Sequence, residues 1–154
     1  MTPSSLQLRP IQVAVANGEA TVTAGVDIAS IQRLGVLLGA QKQFATNIFR
    51  PEEIDYCLSF RDPAVHFAAR FAAKEATLKA LQMGLGVPPV MHRLRDVEVC
   101  RALGPPRLRL HNRMAEKAHR LGIRGASLSL SHDCGLAIAY VLLSWEADTR
   151  TQIR

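Results

Sequence analysis

Ala68-Ala69-Arg70-Phe71-Ala72-Ala73-Lys74-Glu75-Ala76-Thr77-Leu78-Lys79-Ala80 is the stretch on which the reading of this chain turns. It mounts one carboxylate and three cations on an otherwise apolar segment, with small residues around the charges. A helix rises about 1.5 Å and turns about 100° per residue, which places Glu75 and Lys79 one turn apart on one face, with Arg70 and Lys74 nearby. In a generic helix this pattern is a solvated face carrying an i,i+4 ion pair of little energetic worth. The rest of the chain weighs against that reading.

Working outward, Asp62-Pro63 supplies an N-cap and first-turn pair for a long helix that runs to about Met83 and is stopped by Gly84 and Gly86. Upstream, residues 11–16 alternate, Asn17-Gly18 is a type I′ turn signal, and residues 20–28 alternate again, which predicts a β-hairpin with Val13 opposite Val22 and Ile11 opposite Ala24. In that phase Val22, Ala24, Val26 and Ile28 share the apolar face. Asp27 points the other way or leaves at the strand's end, which suits a ligand better than a core residue. Residues 29–44 read as an amphipathic helix with Ile31, Leu34, Leu37 and Leu38 inward, and Pro51-Glu52-Glu53 opens a second, short one. Residues 97–101 and 107–110 are short strands, 112–121 a helix ended by Gly122, and 128–143 a closing hairpin turning at 132–135. Separate strands and helices without an internal repeat predict an α+β fold, an antiparallel sheet packed with one long helix and shorter ones.

With 154 residues, the chain is long enough for one core without staples. Its three cysteines, Cys57, Cys100 and Cys134, are odd in number and lack metal-ligand spacing, which predicts neither a disulfide framework nor a zinc site and points to a reducing, cytoplasmic setting. No apolar run approaches the ~20 residues of a membrane span, so no membrane partner is expected. Lysine and arginine outnumber aspartate and glutamate by 19 to 13, a net charge of +6 that favours acidic partners. At 5% aromatic residues there are few platforms for stacking bases, and no basic recognition helix stands out, so nucleic acid is not the expected partner.

Three blocks carry a resemblance. Gly25-Val26-Asp27-Ile28, then Arg70-Phe71-Ala72-Ala73-Lys74-Glu75-Ala76, then Ser129-Leu130-Ser131-His132 resemble, in order and spacing, the signature segments of the holo-acyl-carrier-protein synthase family of 4′-phosphopantetheinyl transferases. Ile31-Gln32-Arg33, Phe44 and Arg50-Pro51-Glu52-Glu53 also fall where that family has an arginine, a phenylalanine and an acidic turn opening a helix. The resemblance covers about residues 24–143. It implies a transferase domain over residues 21–145, an N-terminal extension over 1–20 holding an added strand, and a tail over 146–154.

The implied activity is transfer of 4′-phosphopantetheine from coenzyme A to a serine of an apo acyl carrier protein of fatty acid or polyketide biosynthesis, releasing adenosine 3′,5′-bisphosphate. A catalytically weak module that binds coenzyme A or the carrier is the alternative. Mg2+ is the implied cofactor, with Asp27 and Glu75 as its carboxylates, and Glu75 also serves, through a water, as base toward the acceptor serine. Lys79 is placed to stabilise or protonate the leaving group. Arg70 and His132 are the implied phosphate contacts. Gly84 belongs to a glycine-containing loop near the nucleotide, where Gln82 and Met83 depart from the family's pattern. Ser30 likewise replaces a usual acidic residue three positions after Asp27. Arg33 matches a carrier-docking arginine, and the short length suits the members that assemble as homotrimers.

Overall fold

The computed structural model of the protein describes residues 4–8, 21–41, 43–81, 90–101 and 104–145. In chain order these form β1 (Ser5–Gln7), β2 (Thr21–Ser30), α1 (Ile31–Ala40), α2 (Phe44–Ile48), α3 (Pro51–Leu58), α4 (Pro63–Ala80), α5 (Val90–Arg95), β3 (Val97–Cys100), β4 (Arg107–His111), α6 (Asn112–Arg120), β5 (Ile123–Asp133) and β6 (Leu136–Trp145). Two three-stranded antiparallel sheets result, ordered β1-β4-β3 and β2-β6-β5. The α+β expectation holds.

Helix α4 packs along one face of the β2-β6-β5 sheet, and the contact is built from small residues. Ala72, Ala73 and Ala76 on the helix and Ala29, Ala137 and Ala139 on the sheet are all buried. Gly25 is the tightest point, because a Cβ there would stand 1.9 Å from the Ala76 carbonyl oxygen, well inside van der Waals contact. Thr23 Oγ1 donates to the Ala80 carbonyl at 2.9 Å and so satisfies one of the acceptors left open at the helix C-terminus. The long helix is therefore buried along most of its length, and the solvated-face reading of its charges fails.

The same packing inverts the expected facing of β2. Val22, Val26 and Ile28 are exposed, Ile28 at 58%, while Gly25 and Ala29 are buried against α4. Alternation defines two faces, and helix approach selects the one with the smaller residues. The prediction that Asp27 opposes Val26 and Ile28 stands, and its side is the helix side.

Several boundaries shift. The expected 29–44 helix divides into α1 and α2, with Ser30 capping α1 by accepting from the Arg33 N–H at 3.2 Å. Pro63 opens α4 as expected, but the Asp62 side chain makes no capping bond. Gly122, at φ +71, ends α6 in the left-handed region that glycine tolerates without strain. Strand β1 was not anticipated, and it pairs with β4 rather than with β2, bringing Leu8 into the core. The predicted hairpin partner of β2, residues 11–18, lies outside the described residues. No described helix is long and apolar enough to cross a membrane.

Candidate active site

Close approach at Gly25 brings the middle of β2 beneath the C-terminal half of α4, and there Asp27, Glu75 and Lys79 converge. Lys79 Nζ donates to Asp27 Oδ1 at 2.8 Å and to the Val26 carbonyl at 3.0 Å. The i,i+4 pairing of Lys79 with Glu75 that a generic helix would make gives way to a cross-element pair. Glu75 is 9% exposed and its Oε2 is buried without a protein partner among the described residues. Burial pushes the Glu75 carboxyl above its usual range, the nearby Asp27 charge pushes it further, and Lys79 opposes both.

Two neighbouring carboxylates, one with an oxygen left unpartnered, form the hard-oxygen donor set that suits Mg2+, an ion that keeps several waters and takes only one or two protein carboxylates. No group of three or more histidine, cysteine or acidic side chains converges among the described residues.

Arg70 stands five residues before Glu75, about 7.5 Å along the helix axis. It is 5% exposed, its guanidinium lies 3.9 Å from the Tyr56 ring centroid, and its Nε is buried without a partner among the described residues. His132 sits exposed near the end of β5, paired with Ala137 and, by alternation, on the same sheet face as Leu128. Its charge reaches His66, one turn before Arg70 on α4, whose imidazole stacks on Phe60 with ring centroids 3.6 Å apart. The charges of Arg70 and His132 both bear on His66 and lower its affinity for a proton. The sequence reading missed His66, although its i−4 spacing from Arg70 was the available signal.

Lys74 does something other than attend the site. It is fully buried and donates to Glu53 Oε2 at 2.8 Å, to the Leu94 carbonyl at 3.1 Å and to the Val97 carbonyl. Glu53 in turn accepts from the Arg50 N–H at 2.9 Å and the Val99 N–H at 3.1 Å. One buried ion pair thus joins α3, α4, the end of α5 and β3, fixing the helix that carries Glu75. Burial pulls the Lys74 ammonium below its usual range, partly offset by Glu53. Arg33 is exposed on α1. Gly84, with Gln82 and Met83, lies outside the described residues.

Residues 23–137 match the 4′-phosphopantetheinyl transferase superfamily. The chain belongs to that superfamily. It is 40% identical over 121 residues to the holo-[acyl-carrier-protein] synthase of Moorella thermoacetica, covering 78% of this chain and 91% of that one. With the corresponding protein of Geobacter sp. (strain M21) the identity is 44% over 124 residues, covering 77% and 94%. Among solved structures, it resembles the ACPS–CoA complex of Chronobacterium ammoniagenes, with a TM-score of 0.70, 30% identity and coverage of 82% of this chain and 99% of that one. The Helicobacter pylori holo-[acyl-carrier-protein] synthase in complex with coenzyme A is similar, at TM-score 0.64 and 34% identity, covering 78% and 98%. The superfamily match spans Asp27, Arg70, Glu75, Lys79 and His132 alike.

Proposed function

We propose that this protein transfers 4′-phosphopantetheine from coenzyme A to a serine of an apo acyl carrier protein, releasing adenosine 3′,5′-bisphosphate. The observation that carries the reading is the convergence of Asp27, Glu75 and Lys79 under α4, in a chain that aligns with holo-[acyl-carrier-protein] synthases over nearly their full length. In the reaction the serine Oγ forms a bond to the phosphorus that bears pantetheine, and the bond from that phosphorus to the bridging pyrophosphate oxygen breaks.

Glu75 takes the serine proton. Its unpartnered oxygen and raised basicity suit that role, because a carboxylate held in a poorly solvated site is a stronger base than one in water. Lys79, held by Asp27, presents an ammonium to the leaving bisphosphate. Arg70 and His132 hold coenzyme phosphate at the other end of the helix, a guanidinium being suited to bidentate contact with phosphate oxygens. Asp27 and Glu75 are the residues that would hold Mg2+, which, when bound, would neutralise charge on the pyrophosphate.

Arg33 docks the acidic carrier. It is exposed on α1 beside the also exposed Val36, one turn on, which gives a cation and an apolar contact on one helix face. The working assembly is a homotrimer. In support, Val22, Val26, Ile28, Leu136, Ile138 and Tyr140 are exposed on one face of β2 and β6, with Val26 opposite Tyr140 and Ile28 opposite Ile138. A contiguous apolar face of this kind calls for a covering partner, and a further copy of the chain supplies one.

Incubation with coenzyme A, Mg2+ and several apo carriers, followed by intact mass of the carrier, tests the reaction. Gain of one phosphopantetheine with equimolar bisphosphate release is expected, and coenzyme binding without any mass change in any carrier would leave only a binding module.

A further inference from the structure

His66, one turn before Arg70 on α4, is a titratable side chain to which the reading above gives no task. Its imidazole is half-buried, lies face to face on Phe60 and meets the Tyr56 ring edge-on at 6.0 Å between centroids. Neither ring nitrogen has a hydrogen-bond partner among the described residues. Tyr56 also carries the Arg70 guanidinium on its face, so α3 supplies one aromatic wall that orients both groups. The groups whose charges reach His66 are Arg70 on the same helix, His132 on β5 and Asp62 at the helix start. Burial, Arg70 and His132 hold the imidazole below its usual range, and Asp62 opposes them. At neutral pH the ring is therefore a neutral acceptor beside the Arg70 guanidinium, on the same Tyr56 wall, where a bound anion would reverse the local field.

Distance identifies which anion. Nine residues separate His66 from Glu75, about 13.5 Å along the helix axis. An anion contacted there is not the phosphorus undergoing substitution. Coenzyme A carries one more phosphate, a monoester on the ribose, whose near-dianionic charge matches a cluster of cations better than a singly charged diester does.

We propose that His66, stacked on Phe60, is a third member of the anion subsite formed with Arg70 and His132, and that it reads the ribose phosphate monoester of the coenzyme by taking up one proton from solvent when that group binds. This rests on Arg70 and His132 being coenzyme contacts. The proton goes to the free imidazole nitrogen, no bond of the coenzyme changes, and selectivity against coenzymes lacking the monoester follows.

The test is titration calorimetry of the intact protein with coenzyme A and with 3′-dephospho-coenzyme A, in buffers of different ionisation enthalpy at pH 6 and pH 8. Wild type should take up protons with coenzyme A and none with the dephospho form. Uptake is diagnostic, since a phosphate monoester entering a cationic site would release protons. His66→Phe, which keeps an aromatic ring against Phe60, should lose the uptake and bind coenzyme A about threefold to tenfold more weakly at pH 6, corresponding to about one unit of lost coupling or less. If Arg70→Ala leaves coenzyme affinity unchanged, the subsite itself is misplaced and the parent reading fails. If Arg70→Ala weakens binding while His66→Phe retains full proton uptake, only the role of His66 is overturned. Should His66→Phe not fold, the wild-type His66 ring resonances titrated with and without coenzyme A decide: a higher midpoint with coenzyme is expected, and an unchanged one overturns the proposal.

Discussion

Lys79 Nζ pairs with Asp27 Oδ1 at 2.8 Å across the β2–α4 contact, and not with Glu75 one turn back on its own helix. The pair therefore leaves Glu75 unneutralised by a hydrogen-bonded cation and fixes Asp27 beside it. Because Lys79 is 39% exposed, the pair is worth little to the fold, about 1 kcal/mol or less. Lys79→Ala should shift Tm slightly while lowering kcat/KM by about tenfold to a hundredfold through a mispositioned Asp27 and a lost leaving-group contact. A thermal melt and a transfer assay on one preparation check this, and a large Tm loss with normal turnover would reverse the assignment.

Gly25 should tolerate no side chain. Its Cβ would meet backbone, the Ala76 carbonyl oxygen at 1.9 Å, which no rotamer change relieves. Gly25→Ala should cost about 3 kcal/mol or more, at the upper end of overpacking penalties, and chemical denaturation measures it. An unchanged midpoint would mean that the helix does not pass β2 at this point.

The buried Lys74–Glu53 pair makes a contrasting prediction. Lys74→Met strands a buried carboxylate and should cost about 3–5 kcal/mol. A double-mutant cycle with Glu53→Gln should show strong coupling, since Gln retains an acceptor for the Val99 N–H but removes the charge. Additive losses would place the two residues in independent roles.

Glu75 predicts opposite pH trends for stability and activity. Its folded-state pKa is raised above 4.5, so between that value and the raised one the native state binds more protons than the unfolded state, and its contribution to stability falls as pH rises. Activity needs the ionised form and rises through the same window. Glu75→Gln should then melt no lower than wild type at pH 7, with any gain shrinking as pH falls toward 4.5. A wild-type melting temperature well above that of Glu75→Gln at pH 7 would show that the charge is compensated in the fold.

Arg33→Glu should raise KM for the apo carrier and leave Kd for coenzyme A unchanged, because a rim charge acts chiefly on encounter. The difference should shrink with salt, as the Debye length falls from ~10 Å at 0.1 M to ~3 Å at 1 M. Equal KM values at low salt would remove α1 from carrier docking.

The sequence was most legible where a local signal names its own partner. Pro63 opening α4 and Gly122 closing α6 are short-range features that appear where expected, while the turn expected over 132–135 narrows to Cys134-Gly135 because His132 and Asp133 extend the β5–β6 pairing. The cluster of Asp27, Glu75 and Lys79 was reachable through resemblance, since 52 residues separate Asp27 from Lys79. What could not be read was which face of an alternating strand turns inward. The valine and isoleucine side of β2 has the greater apolar content, yet the side with Gly25 and Ala29 is buried, because only small residues admit α4 so closely. The role of Lys74 was illegible for a related reason. Its partner Glu53 lies 21 residues away on another helix, and nothing in an i,i+4 pattern announces a cross-helix pair. Ser30, where the family has an acidic residue, caps α1.

The most direct measurement is single-turnover phosphopantetheine transfer to an apo carrier by wild type, Asp27→Asn and Glu75→Gln, with folding of each variant verified by its melting curve. Folded variants should retain coenzyme binding at the Arg70 end and lose transfer by about 100-fold or more, the scale expected when a group that acts only on the transition state is removed. Transfer by folded Glu75→Gln at the wild-type rate would contradict the account.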